Sequence, residues 1–229
     1  MGSRRGEIVE AALGVAQERG LAAMTMRAVA DRLGASVMGL YRHVPTKEAL
    51  LDDLVGRLLA ELDLPDPAQP WRRRLHHLAG QVYDLAGRYP TVVPLLLTRA
   101  YTAPDAVRVV DATSGLLRDA GIAPGEVPRL ERMVATFLLG YAVSAANRAF
   151  WSDPAATGPS ATGPATPDRP GAAADGLAGA PDVWRAELDR DVADLADLLA
   201  RLGRPGHREP SPAGALEPGG LRSGEEPAG

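Results

Sequence analysis

Cysteine is absent from this 229-residue chain, so disulfide frameworks, thiolate metal sites and cysteine nucleophiles are all excluded. Aromatic residues make up only 4%, and lysine is nearly missing: Lys47 stands alone against 24 arginines. No apolar run reaches the roughly 20 residues that a bilayer-spanning helix needs. The amino terminus, with Arg4, Arg5, Glu7 and Glu10 around a short apolar pattern, lacks the hydrophobic stretch of a secretory signal. A soluble, cytoplasmic protein with no membrane partner is the resulting expectation. Also missing are the His-Glu-x-x-His, Gly-x-Ser-x-Gly, phosphate-loop and dinucleotide fingerprints of common enzymes. Adjacent His76 and His77 lie about 100° apart on a helix and cannot share a face as a metal pair would. No enzyme, cofactor or metal ion is expected.

What is present is a chain 45% hydrophobic and 24% charged, enough to bury a substantial core. Its net charge of −4 is unevenly spread. Residues 1–47 carry seven basic side chains (Arg4, Arg5, Arg19, Arg27, Arg32, Arg42, Lys47) and four acidic ones, which leaves a clear acidic excess for the remainder. A basic head on an acidic body points to an anionic partner for the head alone. Of 45 glycines and prolines, 11 fall in residues 152–181 and 12 in residues 203–229, two stretches without apolar periodicity. The first reads as a mobile low-complexity loop and the second as a disordered tail. The rest shows helical spacing and almost no strand alternation, so the expected fold is all-α.

The first helix is expected from Arg4 to Arg19, with Ile8, Ala12 and Val15 on one face and Gly20 as its stop. Thr25 caps a short second helix, Met26 to Leu33; Gly34 ends it, and Ser36 caps a third, Val37 to His43. Two short helices joined by about three residues, with small Ala30 at the crossing, are what a helix-turn-helix requires. Pro45 cannot continue the third helix, and Thr46 caps a fourth that carries Leu50, Leu51, Leu54 and Leu58 to about Leu62.

The run Thr25-Met-Arg-Ala-Val-Ala-Asp-Arg-Leu-Gly34, then Leu40-Tyr-Arg-His-Val44 and Lys47-Glu-Ala-Leu-Leu51, resembles the amino-terminal domain of the TetR family of transcriptional repressors over roughly residues 4–54. The surface chemistry stands beside that resemblance. A recognition helix presents its first residues to base edges in the major groove, here Val37, Met38 and Gly39. Val37 and Met38 can meet a thymine methyl but read no hydrogen-bond pattern, and Gly39 offers only backbone. Arg42 suits either bidentate contact to guanine O6 and N7 or a phosphate. Thr25 and Arg27 are placed to touch the neighbouring strand's backbone, and Ser36 opens the recognition helix. Tyr41, His43 and Lys47 hold phosphates in the reading that the family resemblance implies. His43 could instead pack beneath the fourth helix, while Arg19 and Arg32 read as solvated.

One such domain makes few base contacts, so specificity demands two copies and a body that pairs them. Helical spacing continues from Trp71 to Tyr89, from about Pro104 to Ala120, and from near Pro124 to Trp151, the last with Gly140, Ala142, Ser144, Ala145 and Ala146 for close helix approach. A final helix, about Asp182 to Leu202, carries a narrow seam of Leu188, Val192, Leu195, Leu199 and Leu202. The expected organisation is a DNA-binding domain at 1–47, a helical ligand-binding and dimerisation domain at 48–202 that includes the loop at 152–181, and a tail at 203–229. The family resemblance implies a homodimer through a four-helix bundle of the last two helices, near 124–151 and 182–202.

The body resembles the ligand-binding domain of the tetracycline repressor branch through Trp71 and its helix, Tyr89-Pro90, and the segment ending in Leu138-Leu-Gly-Tyr141. Positions at which that repressor places polar residues for drug and metal fall here on Leu78 and Leu96, which argues against a metal-chelated ligand. The expected pocket is mainly apolar, with Leu78, Val82, Leu96, Met133 and Phe137 as walls and Tyr83, Arg99, Tyr101, Asn147, Arg148 or Trp151 as anchors. The functional expectation is a repressor that binds a palindromic double-stranded DNA operator as a homodimer and is released by a small, mostly hydrophobic effector of unknown identity. The alternative is a helical ligand-binding or scaffold protein with a non-functional DNA-binding head.

Overall fold

Side-chain caps decide where the first helices start. In the computed structural model, which describes residues 3–99, 104–146 and 181–204, Ser3 Oγ accepts from Gly6 N–H at 3.2 Å and opens α1 (Arg4–Arg19). Thr25 Oγ1 accepts from Ala28 N–H at 3.1 Å before α2 (Met26–Leu33), Ser36 Oγ from Gly39 N–H at 3.1 Å before α3 (Val37–Tyr41), and Thr46 Oγ1 from Ala49 N–H at 3.0 Å before α4 (Lys47–Ala60). Each such cap is worth about 1 kcal/mol. Gly34 sits at φ 60°, ψ 32°, and Ala35 N–H reaches back to the Ala30 carbonyl at 3.0 Å, so α2 closes in a left-handed stop that only glycine makes without strain. The chain then turns directly into α3. Ile8, Ala12, Val29, Ala30, Leu40, Val44 and Leu50 are buried between these helices.

The third helix ends two residues earlier than expected. Arg42 and His43 form a turn in which the N–H groups of His43 and Val44 both reach the Leu40 carbonyl at 2.9 Å. Pro45 disfavours helical backbone at Val44, and the last turn tightens accordingly.

The body comprises α5 (Trp71–Arg88), a short 3-10 turn (Val93–Leu95) leading into α6 (Leu96–Arg99), α7 (Pro104–Asp119), α8 (Val127–Ala146) and α9 (Pro181–Leu202). The described residues are thus wholly helical, and α5 is the central member, packed against α7, α8 and α9, while α7 also meets α4. The four-residue α6 is too short to leave a periodic signature. α8 starts at Val127, after a turn in which Glu126 N–H meets the Ala123 carbonyl at 2.9 Å, rather than near Pro124. The expected stretch from Asn147 to Trp151, the loop at 152–181 up to residue 180, and the tail beyond Arg204 lie outside the described residues.

The seam of α9 is satisfied within the chain. Trp184, Leu188, Val192, Ala196 and Leu199 are buried and α9 packs on α5, whereas Leu195 and Leu202 are half-buried. Tyr141 donates its hydroxyl to the Trp184 carbonyl at 2.8 Å, and the two rings meet edge-on with centroids 5.8 Å apart. Burial, with Glu187 and Asp191 nearby, holds the Tyr141 phenol well above its ordinary pKa, so the proton stays available to that bond. Arg185 pairs with Asp84 at 2.7 Å and lies over the Tyr83 ring. At the far end a Cβ on Gly203 would fall 2.1 Å from the Ala120 carbonyl oxygen, so α9 finishes in backbone contact with the end of α7. Among the described residues no helix is long and apolar enough to cross a membrane.

Candidate nucleic-acid interface and internal cavity

The ten residues expected to face DNA cluster at the start of α2, along α3 and at the start of α4. Thr25, Arg27, Ser36, Met38, Tyr41, Arg42 and His43 are exposed, while Val37, Gly39 and Lys47 are half-buried. His43 therefore does not pack beneath α4. Met38 is 74% exposed and Tyr41 42%, so both side chains stand clear of the core. A Cβ on Gly39 would press on Ser36 Oγ at 3.1 Å, so glycine here also leaves room for the cap of the helix.

Charge pairing separates the basic residues of the head into two groups. Arg4 pairs with Glu7 at 2.7 Å, Arg5 with Asp53 at 2.8 Å and Arg32 with Glu18 at 2.7 Å. Arg32 also lies over Gly14, where a Cβ would meet its guanidinium at 2.7 Å, so it ties α2 to α1 instead of standing free in solvent. Arg27, Arg42 and Lys47 have no ion pair among the described residues. Arg19, at the end of α1, is likewise without an ion pair among the described residues; Arg27, Arg42 and Lys47 are the unpaired cations of the recognition surface, where an external anion would complete them.

About 18 Å of helix connects that surface with the interior, at about 1.5 Å per residue along α4 from Lys47 to Leu59. Lys47 begins α4; Leu59 near its end and Leu62 just beyond it line a cavity of about 60 Å³. Leu78 and Val82 of α5 and Leu96 of α6 form part of the wall. The remainder comes from α7, including Val109 and Thr113, and from α8, including Glu131, Val134 and Leu138.

Other residues expected at the pocket lie elsewhere. Met133 and Phe137 are half-buried on the stripe of α8 next to its inward face, with the Phe137 ring 6.2 Å from that of Tyr141. The inward face runs through Val127, Leu130, Glu131, Val134 and Leu138, which leaves Met133 and Phe137 at its margin and outside the cavity wall. Tyr83 faces Arg185, and Arg99 turns to α4, donating to Asp52 at 2.8 Å and to the Glu48 carbonyl at 3.4 Å. Tyr101, Asn147, Arg148 and Trp151 lie outside the described residues. Glu131 was missed, although a glutamate four residues after Val127 in an apolar stripe was a visible irregularity.

Polar bonds fasten α4 on both sides. Towards the head, Arg57 pairs with Glu10, and Arg5 with Asp53. Towards the body, Glu61 accepts from Arg88 at 2.7 Å and from the Tyr89 hydroxyl at 2.6 Å, besides pairing with Arg57 at 2.6 Å. Burial pushes the Glu61 carboxyl upward, but the bonds from Tyr89 and Arg57 and the charges of Arg57 and Arg88 outweigh it and hold the group below its ordinary range. Arg74 is buried and paired with Asp119, which fastens α5 to α7.

A helix-turn-helix head joined by one continuous helix to an all-helical body with an internal cavity defines the class of protein. The family "Bacterial regulatory proteins, tetR family" matches residues 8–54, and "Tetracyclin repressor-like, C-terminal domain" matches residues 64–161. Together these cover more than half of the chain, which belongs to the TetR family.

The HTH-type transcriptional repressor DrrR1 of Streptomyces coeruleorubidus is 31% identical over 139 residues, 60% of this chain and 52% of that protein. The HTH-type transcriptional repressor KstR of Mycobacterium tuberculosis is 35% identical over 109 residues, 45% of this chain and 49% of that protein. The chain spans about half the length of the curated relatives it matches. Among solved structures, apo ActR from Streptomyces coelicolor superposes with a TM-score of 0.67 at 19% identity, covering 89% of this chain and 99% of that one. BioQ with its double-stranded DNA operator superposes with a TM-score of 0.59 at 23% identity, covering 64% and 90%. At these identities the likeness is one of fold.

Proposed function

We propose that this protein is a cytoplasmic, ligand-responsive transcriptional repressor and not an enzyme. It binds a palindromic DNA operator as a homodimer and is released by a small, mostly hydrophobic effector. The head comprises residues 1–47 and the ligand-binding and dimerisation body residues 48–202. Val37, Met38 and Gly39 meet the major groove behind the Ser36 cap, and Arg42 takes a guanine edge or a phosphate; Thr25, Arg27, Tyr41, His43 and Lys47 contact phosphates. Leu78, Val82 and Leu96 belong to the effector pocket. The observation that carries this reading is the double membership of α4: Lys47 begins it beside the unpaired cations, and Leu59 near its other end is in the cavity wall.

The mechanism is a linkage. An effector larger than a cavity of about 60 Å³ must move its walls, and Leu59 and Leu62 transmit that movement to α4. A shift of α4 takes the two heads of the dimer away from the ~34–36 Å spacing at which successive major-groove faces are read together. The coupling expected is ~1–3 kcal/mol, and operator must weaken effector binding by the same factor.

The test is selection of fragments of the source genome on the purified protein. Enriched fragments sharing an inverted repeat are expected. If no fragment is enriched above competitor DNA at moderate salt, the regulatory reading fails and the scaffold with a non-functional head takes its place.

A further inference from the structure

A single carboxylate stands in the cavity wall. Glu131 is 7% exposed and lies on the inward stripe of α8 between Leu130 and Val134. Among the described residues the wall is otherwise apolar apart from Thr113, whose hydroxyl donates to the Val109 carbonyl at 2.8 Å. The other acidic side chains set between elements are paired: Asp52 with Arg99, Asp53 with Arg5, Glu61 with Arg57 and Arg88, Asp119 with Arg74. Glu131 has neither a hydrogen bond nor an ion pair among the described residues. Its neighbour Arg132 is exposed. Burial raises the Glu131 carboxyl above its ordinary pKa against the weaker pull of Arg132. Such an unpaired buried acid costs stability, and a leucine or valine at this place in the stripe would carry no such cost.

Resting on the reading of this cavity as the effector site, we propose that its ligand is a mostly apolar molecule bearing one protonated amine, held by the carboxylate of Glu131. An ammonium group restores to that carboxylate the partner that burial removed and forms a short, charge-assisted bond in a water-poor site. A wholly apolar ligand would desolvate the acid further, and an anionic one would meet like charge at low dielectric. Thr113 Oγ1 keeps acceptor capacity on the same wall for a second ammonium proton.

Three naphthalenes of similar shape test this on the full chain by calorimetry: 2-(1-naphthyl)ethylamine, neutral 1-propylnaphthalene and anionic 1-naphthylacetate. The wild-type protein is expected to bind the amine about tenfold or more tighter than the neutral compound, and the anion weakest. Glu131→Gln should abolish that preference by weakening the amine, while the neutral compound, with no acid left to desolvate, binds no more weakly than to the wild type. Equal binding of amine and neutral compound by the wild type, or a preference that survives Glu131→Gln, overturns the amine proposal and leaves the cavity as the effector site. Failure of all three to bind overturns both. In the unliganded protein Glu131→Gln should raise the melting temperature; a fall would mean that the acid already has a partner in the chain, and overturns the proposal as well.

Discussion

The head makes its sharpest commitments at single residues. Arg42 follows α3, is exposed, and has no carboxylate partner among the described residues, so Arg42→Ala removes an anion contact without disturbing the core beneath Leu40 and Val44. Loss of a base contact costs about 1–3 kcal/mol and relaxes specificity at one position, whereas loss of a phosphate contact weakens all sequences alike. Operator affinity measured by anisotropy should fall by that amount while light scattering stays unchanged; unaltered affinity would remove Arg42 from the interface. Two glutamates predict opposite pH behaviour. Glu61, held low despite burial by Tyr89, Arg57 and Arg88, stabilises the fold above the unfolded carboxylate range and loses that contribution as pH falls through its depressed native value. Glu131, raised by burial with only Arg132 opposing, does the reverse: protonation relieves it below the unfolded range, and relief vanishes as pH rises through its elevated native value. Melting curves should therefore show Glu61→Gln destabilising at neutral pH and converging with the wild type in acid. Glu131→Gln should be stabilising at neutral pH, and that advantage should shrink in acid.

At the scale of elements, the chemistry of helix ends was legible in the sequence and the margins of helix faces were less so. Thr25, Ser36, Thr46 and Gly34 mark the ends they were expected to mark, because each acts through its own local backbone bonds. The inward face of α8 through Val127, Leu130, Val134 and Leu138 was legible, but its margin was not: apolar residues fill more than one face, and only packing against α5 and α7 leaves Met133 and Phe137 outside the cavity wall. The four-residue α6 shows no period, and the seam of α9 could not reveal that its partner is α5. Ion pairs such as Arg57–Glu10 and Arg74–Asp119 join residues far apart in sequence and left no local mark. The contact between α7 and α9 gives a prediction at this scale. A side chain at Gly203 has no room beside the Ala120 carbonyl, so Gly203→Val must lift the end of α9. Overpacking of this kind typically costs about 1–3 kcal/mol. Thermal unfolding should register it, and an unchanged midpoint would show that α9 ends free of α7.

For the whole molecule, the decisive quantity is how many heads act together. With the seam of α9 spent on α5, the apolar surface left on the last two described helices includes a flanking stripe on each: Met133, Phe137 and Gly140 half-buried on α8, and Leu195 and Leu202 half-buried around Leu198, 45% exposed, on α9. If these stripes form the contact between two protomers, a charge at their most exposed apolar position should separate them, since burying an unpaired carboxylate at an interface is costly. Leu198 makes little contribution to the monomer's own core, so Leu198→Glu should leave the melting profile of the subunit nearly intact. Light scattering at micromolar concentration should then report a dimer for the wild type and a monomer for the variant. Salt dependence supplies the second reading. A dimer holding roughly eight phosphates loses operator affinity with a log-log slope near ~−7, and a single head holding half as many should show about half that slope along with much weaker binding. A variant that remains dimeric with an undiminished slope would exclude this face of α9 from the contact, and the pairing surface would have to be sought elsewhere on the body.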